Sequence, residues 1–143
     1  TTVRNLGRLA SLFHDGNMFT RANTAARSMG GIVQRSPTAL PQLLASVGWL
    51  AGDAQQALIH SARTDDRFPP LLREIQDRFH PRRMVVRIDA TSRSFFESRV
   101  PFIAGLPDDL PDEATAYICE NFVCQMPTSN RAELAEILDR AAK

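Results

Sequence analysis

Apolar positions along the first 52 residues recur at intervals of three and four, the period of a helix with one buried face. Val3, Leu6, Leu9, Ala10 and Phe13 form one such stripe, and Asp15-Gly16 marks its end. A second stripe runs through Phe19, Ala22, Ala25, Ala26, Met29, Ile32 and Val33, whose alanines allow close approach by another helix. The third is Ala39, Leu40, Leu43, Leu44, Val47 and Leu50. It begins with Ser36 as N-cap and Pro37 in the first turn, tolerates Pro41 near its start, and closes at Gly52. Residues 1–52 are therefore expected to be three helices.

After Gly52 the period changes. Ala57-Leu58-Ile59 is too short for a helix and reads as a buried strand. Asp65 or Asp66 then caps a helix whose Phe68, Leu71, Leu72, Ile75 and Phe79 face one way, with Pro69-Pro70 in its first turn and Pro81 stopping it. Met84 to Ile88 is a second strand, so this stretch predicts a βαβ unit. Residues 90–113, rich in acids and carrying three prolines, read as a long surface connection with Val100-Pro101-Phe102-Ile103 pinned to the core. Ala116 to Cys119 is a third strand. Asn130-Arg131-Ala132-Glu133 is a capping-box pattern opening a last helix with Leu134, Ile137, Leu138 and Ala141 inside. The expected fold class is mixed α/β, with a helical segment over 1–52 and a small β-α-β-β-α element over 53–143.

Composition narrows the function classes. With 43% hydrophobic and 23% charged residues, 7 Gly and 9 Pro among 143, the chain matches a soluble globular domain rather than disorder, collagen or coiled coil. No apolar run approaches the roughly 20 residues that cross a bilayer, and no signal-peptide pattern opens the chain, so no membrane partner is expected. Net charge is +1, and 16 of the 17 basic residues are Arg. Residues 1–105 carry 14 basic and 8 acidic groups, whereas residues 106–143 carry 3 and 8, a division that lets the two parts attract. The densest basic cluster is only Arg82-Arg83 with Arg87, a solvated face rather than a nucleic-acid stripe.

No reaction centre stands out, and no catalytic residue is assigned. Cys119 and Cys124 are redox candidates, but five residues along a straight strand separate them by about 16 Å, beyond the reach of a disulfide. They meet only if the chain turns at Glu120 to Val123. Two reduced, buried structural thiols are the simpler expectation. Without a nearby His or a second Cys pair they make no zinc site, and no metal or cofactor is expected. Of His14, His60 and His80, only His60 sits at a strand end where α/β sheets bind ligands. His60 and Ser61 are therefore ligand candidates, against the alternative of a simple cap and turn without a phosphate-binding glycine loop. Asp89, Asp108-Asp109 and Asp112-Glu113 lack the opposed placement of glycosidase carboxylates, and Trp49 reads as core before it reads as a sugar platform.

The segment ATAYICENFVCQMPTSNRAEL at 114–134 resembles the C-terminal signature of the thioredoxin-domain-containing family that includes spermatogenesis-associated protein 20 and its bacterial relatives. SPTALPQLLAS, ALI, RFHP, MVVRI and VPFIAGL follow in the matching order, so the resemblance covers essentially the whole chain. It departs at His60, where the family often has Gly, and near Ala104, where it often has an acid. The resemblance implies a multidomain protein with a thioredoxin-like domain followed by an α/α toroid similar to six-hairpin glycosidases and epimerases. Residues 1–52 would be the last toroid hairpins, their apolar side covered by preceding parts of the polypeptide. On that basis the expected function is a scaffold without independent catalysis, whose partners are the preceding thioredoxin-like and toroid domains. One side of a carbohydrate-acting cleft and a thiol relay through Cys119 and Cys124 are the alternatives. The family's Cys-x-x-Cys lies outside this sequence, and a cytoplasmic location is expected.

Overall fold

The first reversal of the chain is made by His14, the one described non-glycine residue in the left-handed region (φ 54°). It follows α1 (Thr2–Phe13), and the Asp15 N–H reaches back to the Ala10 carbonyl at 3.0 Å, the six-to-one bond of a Schellman ending. Asp15, expected to end this helix, instead starts the next. Its Oδ1 accepts from the N–H groups of Asn17 (2.8 Å) and Met18 (3.0 Å), capping α2 (Gly16–Ser28). The computed structural model describes residues 2–61, 68–107, 113–120 and 123–140, in two units, Thr1–Ala54 and Gln55–Lys143.

The second and third expected helices of the first unit are each interrupted. The second stripe breaks at Met29, giving α2 and a short α3 (Gly30–Arg35); the third splits into a 3₁₀ turn (Pro37–Ala39) and α4 (Pro41–Leu50). Pro41 explains the second break: it starts α4 as its first residue and pushes Leu40 out of the helical region, to φ −131° and ψ 58°. The buried stripes are also narrower than the periodicity predicts. On α1 it is Val3, Gly7 and Ala10; on α4 it is Leu43, Ser46 and Trp49. A Cβ on Gly7 would lie 2.8 Å from Leu50 Cδ2, so the missing side chain lets α1 and α4 close on one another. Meanwhile Leu9, Phe19, Met29, Ile32, Leu44 and Val47 are 37–46% exposed.

The second unit is built on a four-stranded sheet in the order β2-β1-β3-β4. β1 (Gln55–His60) lies parallel to β2 (Arg83–Ile88) and antiparallel to β3 (Thr115–Glu120), which pairs in turn with β4 (Val123–Cys124). The strand connection from β1 to β2 passes through α5 (Phe68–Gln76), as the βαβ reading requires. The expected caps Asp65 and Asp66 lie outside the described residues, as does Ala141. Phe79, placed on the inner face of this helix by its spacing, falls beyond the helix end and is 89% exposed. The stretch expected as a long loop contains α6 (Arg93–Glu97) and α7 (Pro101–Ala104). Val100 and Ile103 are buried as their apolar run requires.

One core cluster joins Ala57 and Ile59 of β1, Ala116 and Ile118 of β3, Leu71 and Ile75 of α5, and Leu134, Ile137 and Leu138 of α8 (Arg131–Arg140). The period of two on the strands and of three to four on the helices supplies these contacts directly. Beside the core, Glu74 of α5 accepts from Arg78 at 2.5 Å and from Arg131 of α8, while Arg78 also donates to Asp139 at 2.6 Å. Asn130 Oδ1 caps α8 through Ala132 N–H at 2.8 Å. Glu133 does not close the box on Asn130; it accepts the Thr128 hydroxyl at 2.6 Å, whose oxygen accepts the Asn130 N–H at 3.0 Å.

Leu138→Ala is expected to lower unfolding stability by about 2–5 kcal/mol in urea titrations, the range for truncating a fully buried leucine. The Arg131 and Arg78 hydrogen bonds hold the Glu74 carboxyl below its ordinary range. Its stabilising contribution is thus complete above the unfolded carboxyl value and is lost as pH falls through the folded one. Glu74→Gln should therefore lower the urea midpoint at pH 7 and flatten the acid slope below about pH 5.

Candidate functional site

His60 ends β1 between Ile88 of β2 and Thr115 of β3, at the carboxyl end of the parallel pair. Both His60 and Ser61 are fully buried, and the Ser61 N–H donates to the Ile88 carbonyl at 3.1 Å, extending the ladder by one step. Arg93 Nη1 lies 3.2 Å from His60 Nε2. Because a guanidinium only donates, Nε2 is the acceptor and the ring proton sits on Nδ1, which has no partner among the described residues. The Tyr117 ring stands 6.4 Å from the imidazole and the Phe102 ring 6.2 Å from Tyr117, forming an aromatic wall.

Arg93 is committed on every side. Nη1 donates to the Pro107 carbonyl at 2.7 Å, Nη2 to the Leu106 carbonyl at 3.4 Å, and Nε pairs with Glu97 at 2.5 Å. Asp89 prepares its position: the Asp89 Oδ1 accepts from the N–H and hydroxyl groups of Thr91 and Ser92, and its carbonyl accepts the Arg93 N–H at 3.0 Å. The Thr91 hydroxyl, helped by Ser92, holds the Asp89 carboxyl below its usual range. Burial, with the Arg93 charge second, holds the His60 imidazole below its ordinary value. A neutral imidazole whose lone pair is filled by an arginine is a poor general base. Chemically, this arrangement fastens α6 and the end of α7 to the sheet.

Cys119 and Cys124 form a disulfide, with Cα atoms 3.9 Å apart. The expectation of two reduced thiols is corrected by the local fold. Glu120 pairs with Val123 and Cys119 with Cys124, so the chain reverses between β3 and β4 and brings the sulfurs together. The Gln125 N–H donates to the Ile118 carbonyl at 2.9 Å, which makes 118 and 125 a hydrogen-bonded pair. By antiparallel alternation 119 and 124 are then a non-hydrogen-bonded pair, where opposed side chains stand closest. The next bridge joins Ala116 to Thr128, so Met126 and Pro127 together oppose Tyr117 in a β-bulge. Pro127, with no N–H to give, suits that place.

These candidates occupy two separate places. Cys119 lies opposite Gln56 and His60 four residues further along β1, about 13 Å away at the rise of a strand. The acids at 108, 109 and 112 lie outside the described residues, Asp89 is spent on its turn, and Trp49 is buried. Among the described residues no three His, Cys, Asp or Glu side chains converge as a metal site. Sequence reasoning passed over Arg93 and Glu97; their four-residue spacing is a helical ion-pair signal inside a stretch read as loop. It also passed over Gln55, fully buried at the other end of β1. There Gln55 Nε2 donates to Glu120 at 2.7 Å, and Arg83 donates to Gln55 Oε1 and to the Ile75 and Arg78 carbonyls at 2.7 and 3.1 Å.

Because the folded His60 value lies below the unfolded one, the unfolded chain binds the proton first and acid favours unfolding. Stability attributable to His60 is full above about pH 6.5 and declines as pH falls toward the folded value. His14 and His80 are lowered by burial in the same direction. His60→Gln is therefore expected to reduce, without abolishing, the loss of urea midpoint between pH 7 and pH 5.

No family model and no solved structure matches the chain. Among curated proteins it is similar to spermatogenesis-associated protein 20 of Homo sapiens, 28% identical over 106 residues, which is 74% of this chain and 13% of that protein. The rat and mouse proteins of the same name are 25% identical over 137 residues, 96% of this chain and 17% of each relative. The chain thus spans about one sixth of the length of the relatives it matches most fully. No helix among the described residues is long and apolar enough to cross a membrane. What the comparisons give is weak homology to spermatogenesis-associated protein 20 over most of the chain.

Proposed function

We propose that this chain is the C-terminal scaffold portion of a multidomain, cytoplasmic, thioredoxin-domain-containing protein. In this reading Thr1–Ala54 supplies the last hairpins of an α/α toroid and Gln55–Lys143 an α/β element without sugar chemistry of its own. The preceding thioredoxin-like and toroid domains are the partners. The observation that carries the reading is the alignment of 96% of this chain with 17% of its rat relative. The helical unit adds physical support: six of its large apolar side chains are more than one third exposed, an area that burial against further helices would stabilise.

A carbohydrate-acting cleft draws less support. A groove of about 360 Å³ in the helical unit is walled by Val3, Met29, Leu40, Pro41 and Leu43, with Thr2, Gln42 and Ser46 as polar groups and no carboxylate among its lining residues. Sugar chemistry needs opposed acids, and this groove offers none.

Hydrogen exchange tests the scaffold reading. Amides of α1, α2 and α4 are expected to exchange at least about tenfold more slowly in a longer protein that retains the preceding domains than in the 143-residue chain, equivalent to about 1.4 kcal/mol of added local stability. Equal protection in both, or turnover of a glycoside or sugar epimer by the 143-residue chain, would refute it.

A further inference from the structure

The disulfide at the sheet edge is poorly explained as a staple. It closes a loop of only four intervening residues, and short loops return little entropy when closed. The ladder already closes that loop: Gln125 donates to Ile118 at 2.9 Å, and Ala116 and Thr128 exchange two bonds of 2.8 and 3.1 Å. Breaking the S–S bond therefore leaves the two strands aligned and the two sulfurs adjacent. Such a pair can open and close without disturbing the core.

Access is one-sided in a chemically useful way. β4 is the edge strand of the described sheet, so the line from Cys119 through Cys124 leads outward past that edge. Cys119 is 2% exposed, whereas Cys124 is half-buried. A thiolate attacks a disulfide along the S–S axis, so an incoming group meets Cys124 Sγ and displaces Cys119 Sγ. Met126, two residues along from Cys124 on the same side of the strand, is 83% exposed and places an apolar side chain beside this approach.

We propose that Cys119–Cys124 is a thiol–disulfide exchange site whose substrate is a protein dithiol carried beside apolar side chains. One substrate thiolate attacks Cys124 Sγ, the Cys119–Cys124 bond breaks, and Cys119 Sγ leaves and takes a proton. The second substrate thiolate then attacks its own sulfur in the mixed disulfide, and Cys124 leaves and is protonated. Two electrons pass to this chain, and the substrate becomes a disulfide. The same steps in reverse, with a disulfide such as oxidised glutathione, restore the starting bond.

The test equilibrates the 143-residue chain in glutathione buffers from fully oxidised to fully reduced, followed by alkylation and mass measurement. Both cysteines should convert together within that range, with far-ultraviolet circular dichroism and a cooperative urea transition retained. In single variants, Cys119→Ser should form the glutathione adduct at Cys124 at least about tenfold faster than Cys124→Ser forms it at Cys119. A bond that resists every buffer until denaturant is added, free thiols throughout, unfolding on reduction, or equal rates in the two variants would overturn the proposal. The wild-type titration decides the matter if either variant fails to fold.

Discussion

A fully buried end of a strand paired on both edges leaves a polar side chain no way out to water, and β1 has two such ends. Gln55 and His60, its two end residues, are both fully buried. An unpartnered polar group in such a place costs about 1–3 kcal/mol, so each end requires a partner brought from elsewhere. Arginine supplies it both times. Arg83 serves Gln55 and runs on to the Ile75 and Arg78 carbonyls at the end of α5. Arg93 serves His60 and runs on to the Leu106 and Pro107 carbonyls beyond α7. The planar fork with five donors lets one side chain satisfy the strand and secure the neighbouring segment together, which a lysine point charge does not do.

Much of the second unit was legible because its signals are local. The apolar runs at 57–59, 84–88 and 116–119 lie inside the three long strands, and Leu134, Ile137 and Leu138 face inward as their spacing requires. The helical unit was less legible. Apolar spacing locates a stripe but not its centre: Gly7 and Ser46, which the apolar pattern ignores, face inward beside Val3, Ala10 and Leu43. Glycine is inside because backbone closeness is needed, and Ser46 because its hydroxyl is satisfied by the Gln42 carbonyl at 2.6 Å.

The candidate site was legible only in part, since its partners are remote in sequence. His60 was visible as a strand-end residue, but Arg93 lies 33 residues away in a stretch whose prolines and acids imitate a loop. Cys119 and Cys124 were visible as a pair, but their geometry depends on the direction of the chain between them. A continuing strand separates them, and a reversal joins them. Five-residue spacing is compatible with both, so pairing had to come from the fold. The hairpin and the clasp between α5 and α8 draw on different residues, Cys119 and Cys124 in one and Glu74, Arg78, Arg131 and Asp139 in the other. Chemistry at the edge is thereby separated from the forces that hold the core.

The bulge at Met126-Pro127 has a consequence for how these molecules meet one another at high concentration. A free strand border invites a second chain to add on and then a third, the route to fibrils. Here a proline without a donor and a kinked register interrupt one border within a few residues of β4. At the opposite border β2 exposes Arg87, a charged residue of the kind that makes a sheet edge a poor template for another strand. Sheet growth is thereby discouraged at both borders.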